Sequence, residues 1–283
     1  MSTSETHHTV SLKPFARLRH HIGVFWFQNG KAAVHTEEGR SAQRHLRHEF
    51  KYVLSRAEAE EIQLYLEHVG LRRDSASVSE PYHVTSVYFD TPTLEDYYDK
   101  LAGLKFRRKL RARVYQSDFS GEIEAVWLEI KEKHDMSVHK KRSALPVSLW
   151  RQFLDRDMVG LLKHEAVKTS AFLREFFFLY LMKGYRPMTV VKYRRTAYVS
   201  SFVFPVRVTF DSDLQTCHWR DFAYNSPAML PIREGAVIME IKFRDAMPWW
   251  FGEILRRFKL SRQAFSKYVS AVDALNRLDP LPR

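Results

Sequence analysis

One run, Lys109-Leu110-Arg111-Ala112-Arg113-Val114-Tyr115, constrains the fold more than any other part of the chain. Side chains alternate with period two along a β-strand, so as a strand it places Lys109, Arg111 and Arg113 on one face. The same grammar recurs in Arg47-x-Glu49-x-Lys51, Glu129-x-Lys131-x-Lys133, Arg207-x-Thr209-x-Asp211 and Glu240-x-Lys242. The opposite parity is mostly apolar, with Phe50, Leu128, Ile130, Val208, Phe210 and Ile241. An antiparallel sheet with one wet face accounts for alternation in any single strand. It accounts less well for the set, because solvated faces mix signs and these collect Lys and Arg with an occasional Glu. Like charges facing each other across strands destabilise a sheet, so a sheet that gathers them is expected to hold a polyanion. A closed barrel does this with charges in the lumen and apolar side chains outside, under helices. The expected class is α+β: a closed antiparallel β-barrel, a tunnel with a charged lumen, helices packed outside.

The 283 residues allow a substantial core, and an excess of 45 Lys and Arg over 33 Asp and Glu gives a net charge of +12. That balance favours an anionic partner such as a nucleotide, polyphosphate, nucleic acid or an acidic membrane surface. The single cysteine, Cys217, excludes an intrachain disulfide and a cysteine-based zinc cluster, and fits a reducing, cytoplasmic setting. No run approaches the roughly 20 apolar residues of a membrane span. The longest candidate, 172–182, is interrupted by Arg174-Glu175.

Residues 1–43 read as a partly disordered tail, and 44–283 as a single domain. A strand to Leu54 is followed by a helix that Ser55 and Glu58 open as a capping box. Strands are expected at 82–90, 105–115, 125–133 and 138–145, with a hairpin loop at 116–121. Helices follow over 148–158 and 169–183, the second apolar nearly all round and therefore expected to lie between layers. Strands resume at 189–200, 206–212, 215–219 and 237–243, with a loop at 225–235. Helices at 249–258 and 264–278 end the chain.

Gly-x-x-x-x-Gly-Lys, Gly-x-Gly-x-x-Gly, His-Glu-x-x-His and Gly-x-Ser-x-Gly are all absent. What remains is inward-facing Arg and Lys with sparse carboxylates. Arg grips phosphate oxygens with a planar fork and Lys acts as a point charge. Such an array suits phosphoryl transfer, which relies on positioning and charge neutralisation. A divalent metal needs oxygen ligands, and Glu240 is the best-placed carboxylate among the basic residues.

Several short motifs occur in a telling order: Arg47-x-Glu49-x-Lys51-Tyr52, Ser86-Val87-Tyr88-Phe89-Asp90-Thr91, Arg111-x-Arg113-x-Tyr115, Leu128-Glu129-Ile130-Lys131, Arg195-Thr196-Ala197-Tyr198, Arg207-Val208-Thr209-Phe210-Asp211, Met239-Glu240-Ile241-Lys242-Phe243 and Ser266-Lys267-Tyr268. Each is weak alone; in this order, from about Arg44 to Leu278, the chain resembles the VTC-type polyphosphate polymerase domain of the CYTH, or triphosphate tunnel metalloenzyme, superfamily. The resemblance implies a tunnel of about eight antiparallel strands. It also implies transfer of the γ-phosphate of ATP onto inorganic polyphosphate, with Mn²⁺ or Mg²⁺.

Carried over by motif, Lys51, Lys100, Arg111, Arg113, Lys131, Lys133, Lys140, Arg142, Arg195, Arg207 and Lys242 line the tunnel and bind phosphate. Glu240 ligates the metal, and Lys267 stands next to the transferred phosphate. Arg111, Arg195, Glu240 and Lys267 form the catalytic set. Lys100 rests on spacing alone, and Lys133, Lys140 and Lys242 have surface charge as their plain alternative. Alternation counted from Lys192 selects Arg194, whereas the motif selects Arg195; the motif is followed.

Hydrolytic relatives carry Glu-x-Glu-x-Lys in the first strand, and here Arg47 replaces the first acid. That favours a polymerase over an inorganic or nucleoside triphosphatase. A non-catalytic polyanion binder is the third alternative. No nucleic-acid partner is expected. The chain is expected to be free-standing, or to have a peripheral membrane partner.

Overall fold

The computed structural model describes residues 47–77, 80–116, 123, 125–135, 137–200, 205–219, 229–244 and 246–277. The tail expected over 1–43 lies outside them, as do parts of the loops at 116–121 and 225–235. The elements in chain order are β1 (Arg47–Ser55), α1 (Arg56–His68), β2 (Arg72–Arg73), β3 (Tyr82–Asp90), α2 (Glu95–Leu101), β4 (Phe106–Gln116), β5 (Ala125–His134), β6 (Ser137–Pro146), α3 (Val147–Leu154), α4 (Met158–Lys163), α5 (Glu165–Thr169), α6 (Ala171–Met182), β7 (Arg186–Val199), β8 (Arg207–His218), β9 (Leu230–Pro231), β10 (Ala236–Arg244), α7 (Trp249–Arg257) and α8 (Lys267–Asn276).

The strands form one antiparallel sheet in the order β1-β10-β8-β7-β3-β4-β5-β6, with β2 added to β7 and β9 to β8. The sheet curls, but no ladder joins β1 to β6 among the described residues. The expected closed barrel is therefore corrected to a half-barrel. The reason lies at the edge of β1. The backbone N–H of Gln263 donates to the carbonyl of Lys51 at 2.9 Å. The connector between α7 and α8 thus occupies a position on that edge that a closing strand would need. Side chains still reach across the opening, with Lys131 Nζ of β5 lying 3.7 Å from Glu49 Oε1 of β1.

Apolar alternation builds two cores on the outer face. One joins Phe89, Leu110, Leu128 and Ile130 to Trp150, Phe153, Phe176 and Phe177 of α3 and α6. The other joins Tyr52, Leu54, Phe210 and Ile241 to Ile62 and Leu66 of α1 and to Phe251 and Ile254 of α7. The capping box forms as expected: Glu58 N–H donates to Ser55 Oγ at 3.2 Å, and Ser55 N–H to Glu58 Oε2 at 2.7 Å. A third core lies on the concave face, where Val84, Tyr88, Tyr193 and Ile238 meet Tyr268, Val269 and Val272 of α8. So α8 is laid into the half-barrel, while the other helices of the two outer cores stay outside.

Three expectations change. The helix expected over 169–183 is α6, but two short helices that were not expected, α4 and α5, precede it, and α6 is not enclosed between layers. Phe172, Leu173, Phe176 and Phe177 are buried, but Phe178 and Met182 are 61% and 69% exposed. The sheet lies under only one flank of α6. The strands expected at 206–212 and 215–219 are a single strand, β8, interrupted by a bulge. Lys192 pairs Gln215 and Arg194 pairs Ser212, so β8 carries one extra residue there. Asp213 absorbs it at φ +53°. The last helix starts at Lys267 rather than 264, because the residues before it run as the extended connector. No helix among the described residues is long and apolar enough to cross a membrane.

Phe176 is fully buried against Phe89, Phe172 and Phe177. Phe176→Ala is expected to cost about 3–5 kcal/mol in urea unfolding, whereas Phe178→Ala two residues on should stay within about 0.5 kcal/mol.

Candidate functional site

Alternation sends one parity of each strand into the concave face. Along β4 that row reads Arg107, Lys109, Arg111, Arg113 and Tyr115, spanning about 27 Å at the strand rise of ~3.4 Å per residue. Ladder pairing sets Arg111 beside Glu129 and Tyr88, and Lys109 beside Lys131, which itself pairs Lys140. On the other wall, Lys51 pairs Glu240, and Lys242 pairs Glu49 and Arg207.

The sequence candidates gather on this face. Arg111 Nε donates to Glu129, and Lys140 Nζ lies 2.9 Å from the same carboxylate. Glu129 is buried. Burial alone would raise its pKa, but Arg111, Arg113 and Lys140 hold it far below the carboxylate range. Arg113 donates to Ser86 Oγ at 2.9 Å. The Arg142 guanidinium lies over the Trp127 ring at 4.8 Å, and Arg207 pairs with Asp74 at 2.6 Å. Lys133 sits on the inner parity at one end of β5. Lys100 lies on α2, not on the sheet, yet it belongs to the group. Burial and then the charges of Arg107, Lys133 and Lys51 lower its pKa.

Glu49 and Glu240 form a carboxylate pair shared by two lysines. Lys51 lies 2.8 Å from Glu49 and 3.4 Å from Glu240, and Lys242 lies 3.9 Å and 2.7 Å from them. Burial opposes ionisation of Glu49, but Lys51, Lys131 and Lys242 outweigh it and hold its pKa at about 2. Glu240 is likewise held well below its usual range, by Lys242, Lys51 and Lys267 against burial. In Lys51 the balance runs the other way: burial would lower its pKa, and the two carboxylates raise it.

Arg195, not Arg194, faces inward. Arg195 grips Asp211 with both arms, Nε to Oδ1 at 2.6 Å and an Nη to Oδ2 at 2.8 Å. Arg194 projects from the other face toward Asp213 at 3.8 Å. Counting from Lys192 misleads because Lys192 itself shares the parity of Arg194; the inward row of β7 is Val191, Tyr193 and Arg195.

Lys267, the first residue of α8, reaches Asp211 Oδ2 at 2.6 Å and lies over the Tyr193 ring at 4.8 Å. Asp211 is fully buried between these two cations, which outweigh burial and hold its pKa at about 2. Lys109 Nζ donates to Ser266 Oγ at 2.8 Å, and Tyr268 OH donates to Asp90 at 2.5 Å. Both bonds tie the start of α8 to the sheet.

The candidate set omitted Asp211, Lys109, Tyr193 and Thr209. Parity with Arg207 marks Thr209 and Asp211, and parity with Arg111 marks Lys109. Tyr193 has no such marker in a row that otherwise lacks charge until Arg195. Its hydroxyl and Thr209 Oγ1 are buried polar atoms with no hydrogen-bond partner among the described residues. Thr209 is the ladder partner of Glu240.

Asp211→Ala would leave Arg195 and Lys267 buried around a missing counter-charge. The expected cost is about 3–5 kcal/mol in urea unfolding. Added tripolyphosphate should recover part of it by supplying negative charge between the two cations.

The family model for the VTC domain matches residues 46–276. A comparison with curated proteins returned no match. Among solved structures, a candidate adenylate cyclase from Bacillus halodurans is 14% identical, with a TM-score of 0.44 over 78% of this chain and 93% of that one. A candidate adenylyl cyclase from Hippeastrum, described as having a dominant triphosphatase activity, is 13% identical, with a TM-score of 0.43 over 80% and 94%. A protein from Pyrococcus horikoshii OT3 is 12% identical, with a TM-score of 0.39 over 80% and 97%. The family match spans the whole described half-barrel and every residue of the inner rows, and on that match the chain belongs to the VTC domain family.

Proposed function

We propose that this protein is a polyphosphate polymerase that transfers the γ-phosphate of ATP onto a growing inorganic polyphosphate chain held in the half-barrel. The observation that carries this reading is the inner row Lys109, Arg111, Arg113, faced by Lys131, Lys140, Arg195, Lys242 and Lys267, in a VTC domain. A terminal oxygen of the chain attacks the γ-phosphorus, the bond from that phosphorus to the β-bridging oxygen breaks, and ADP leaves. The attacking oxygen is already ionised at neutral pH, so the step needs no general base. What it needs is alignment of two polyanions and cancellation of their repulsion. Arg111 and Arg195 are fixed by Glu129 and Asp211 and present guanidinium groups already oriented. Lys267 brings an ammonium at the start of α8, held by Asp211.

The donor set fits a hard divalent cation. Glu240 with Glu49 beside it would hold Mn²⁺ or Mg²⁺, since such ions bind through one or two carboxylates together with substrate phosphates. No group of three His, Cys, Asp or Glu gathers among the described residues, so the remaining ligands fall to the substrate and water. When bound, the ion supplies Lewis-acid polarisation of a phosphoryl oxygen.

The same carboxylate pair favours one competing reading, hydrolysis of a triphosphate. Incubation with ATP and Mn²⁺, with products resolved by length, separates the two. Long chains are expected; free phosphate alone would replace the polymerase with a triphosphatase. Arg111→Ala is expected to lower the rate about a hundredfold, the effect of removing one charge clamp worth ~3 kcal/mol in the transition state.

Burial, reinforced by Lys131 and Lys51, pushes Lys109 down to about 8. Burial with Arg111 and Arg113 does the same to Lys140, against Glu129. Both are cations below that pH and neutral above it. Tyr88 is also drawn down to about 8, because Arg111, Arg113 and Lys267 outweigh burial, and above that pH it adds a negative charge. Tripolyphosphate affinity should therefore hold at pH 6–7 and fall as pH rises through about 8. The arginines leave a residual affinity at pH 9 and above. A titration series by calorimetry measures it, and an affinity that rises above pH 8 would refute the assignment.

A further inference from the structure

The two ends of the half-barrel are chemically unlike. At one end Arg107 and Lys133 are paired across β4 and β5, close enough to Lys100 for their charges to lower its pKa, and these inner positions bear charge rather than rings. At the other end the inner row of β4 closes on Tyr115, and arginines alternate with aromatic rings. Tyr115 packs against Tyr82 at 6.2 Å between centroids, and the Arg113 guanidinium lies 5.7 Å from the Tyr115 ring. Trp127, the ladder partner of Arg113, carries Arg142 over its ring at 4.8 Å. The neighbour of Trp127 on β6 is Ala144, which adds almost no bulk beside it.

Tyr115 is 40% exposed, although Arg113 next to it in the row is almost fully buried. A tyrosine ring left open beside guanidinium groups, at the edge of a phosphate-binding row, is the recipe proteins use to hold a base without reading its identity. Tyr115 and Trp127 are diagonal neighbours on one face of an antiparallel pair, roughly 7–8 Å apart. That spacing admits a flat ring between or upon them.

We propose that Tyr115, with the Arg142–Trp127 pair beside it, is a nucleobase-stacking platform that seats the nucleotide at this end of the half-barrel. The inference rests on the proposed use of a nucleoside triphosphate and adds which end it enters and what holds its base. The triphosphate then runs inward along Arg113 and Arg111. The polyphosphate lies toward Lys109, Lys131 and the end whose inner positions are Arg107 and Lys133, near Lys100. Stacking is tolerant of base identity, so ATP and GTP are held alike.

The test measures binding of ATP, GTP and tripolyphosphate to the wild-type chain and to Tyr115→Ala, Tyr115→Phe and Trp127→Ala. The expected result is a loss of roughly 5- to 100-fold in affinity for both nucleotides in the two alanine variants. Tripolyphosphate affinity should fall far less than nucleotide affinity, since Arg113 and Arg142 lose only a neighbouring ring, and Tyr115→Phe should keep nucleotide binding because it keeps the ring. Equal losses for nucleotide and tripolyphosphate would overturn the platform and make these residues part of the phosphate site or the scaffold. Unchanged ATP affinity in both alanine variants would overturn it while leaving the phosphate row intact. A wild-type chain that binds none of the three ligands would remove the phosphoryl-transfer reading and the platform together.

Discussion

One buried carboxylate, Asp211, holds two cations that belong to different parts of the chain. Arg195 comes from the adjacent strand and Lys267 from the first turn of the last helix. Without that shared partner the start of α8 would place an ammonium against a guanidinium in a region shielded from water. Desolvated like charges repel strongly, and a carboxylate gripping one with a two-armed fork and the other as a point charge offsets that repulsion. The arrangement sets the position of α8 on the concave face, and with it the third core around Tyr88, Tyr193 and Tyr268.

The rest of the inner face repeats this pattern. Three more carboxylates there each serve more than one cation: Glu129 serves Arg111 and Lys140, and Glu49 and Glu240 share Lys51 and Lys242. The sheet can therefore gather like charges on neighbouring strands, because a smaller number of anions is spread among them. The anions stay ionised under burial for the same reason. A ligand rich in negative oxygen would meet cations already aligned by these internal partners, with little side-chain order left to impose.

Most of the sheet was legible from alternation, since wherever one parity is apolar and the other charged there is a single way to bury the strand. The row Lys109, Arg111, Arg113 and the pair Glu240 and Lys242 fall where their parity puts them. Alternation failed on β7, where Lys192 and Arg194 form a charged pair on the outer face and the inner row passes through Val191 and Tyr193. Counting could not find the bulge at Asp213 either, because an extra residue in a strand leaves no mark when both flanking stretches alternate correctly. The half-barrel was mistaken for a barrel because closure depends on how the α7–α8 connector uses the edge of β1. That is a backbone contact between distant residues, with no periodic trace. Lys100 illustrates the reverse case. It sits on a helix and has no strand parity at all, yet the fold brings its ammonium to the cluster at one end.

The gap between β1 and β6 makes the concavity a trough rather than a bore. Where the ladder between β1 and β6 is missing among the described residues, the two sides are joined by side chains, the Lys131–Glu49 pair, while the α7–α8 connector lines the β1 edge. An ion pair of this kind is weakened by salt, so the firmness with which that side of the half-barrel is held varies with ionic strength, as a backbone ladder would not.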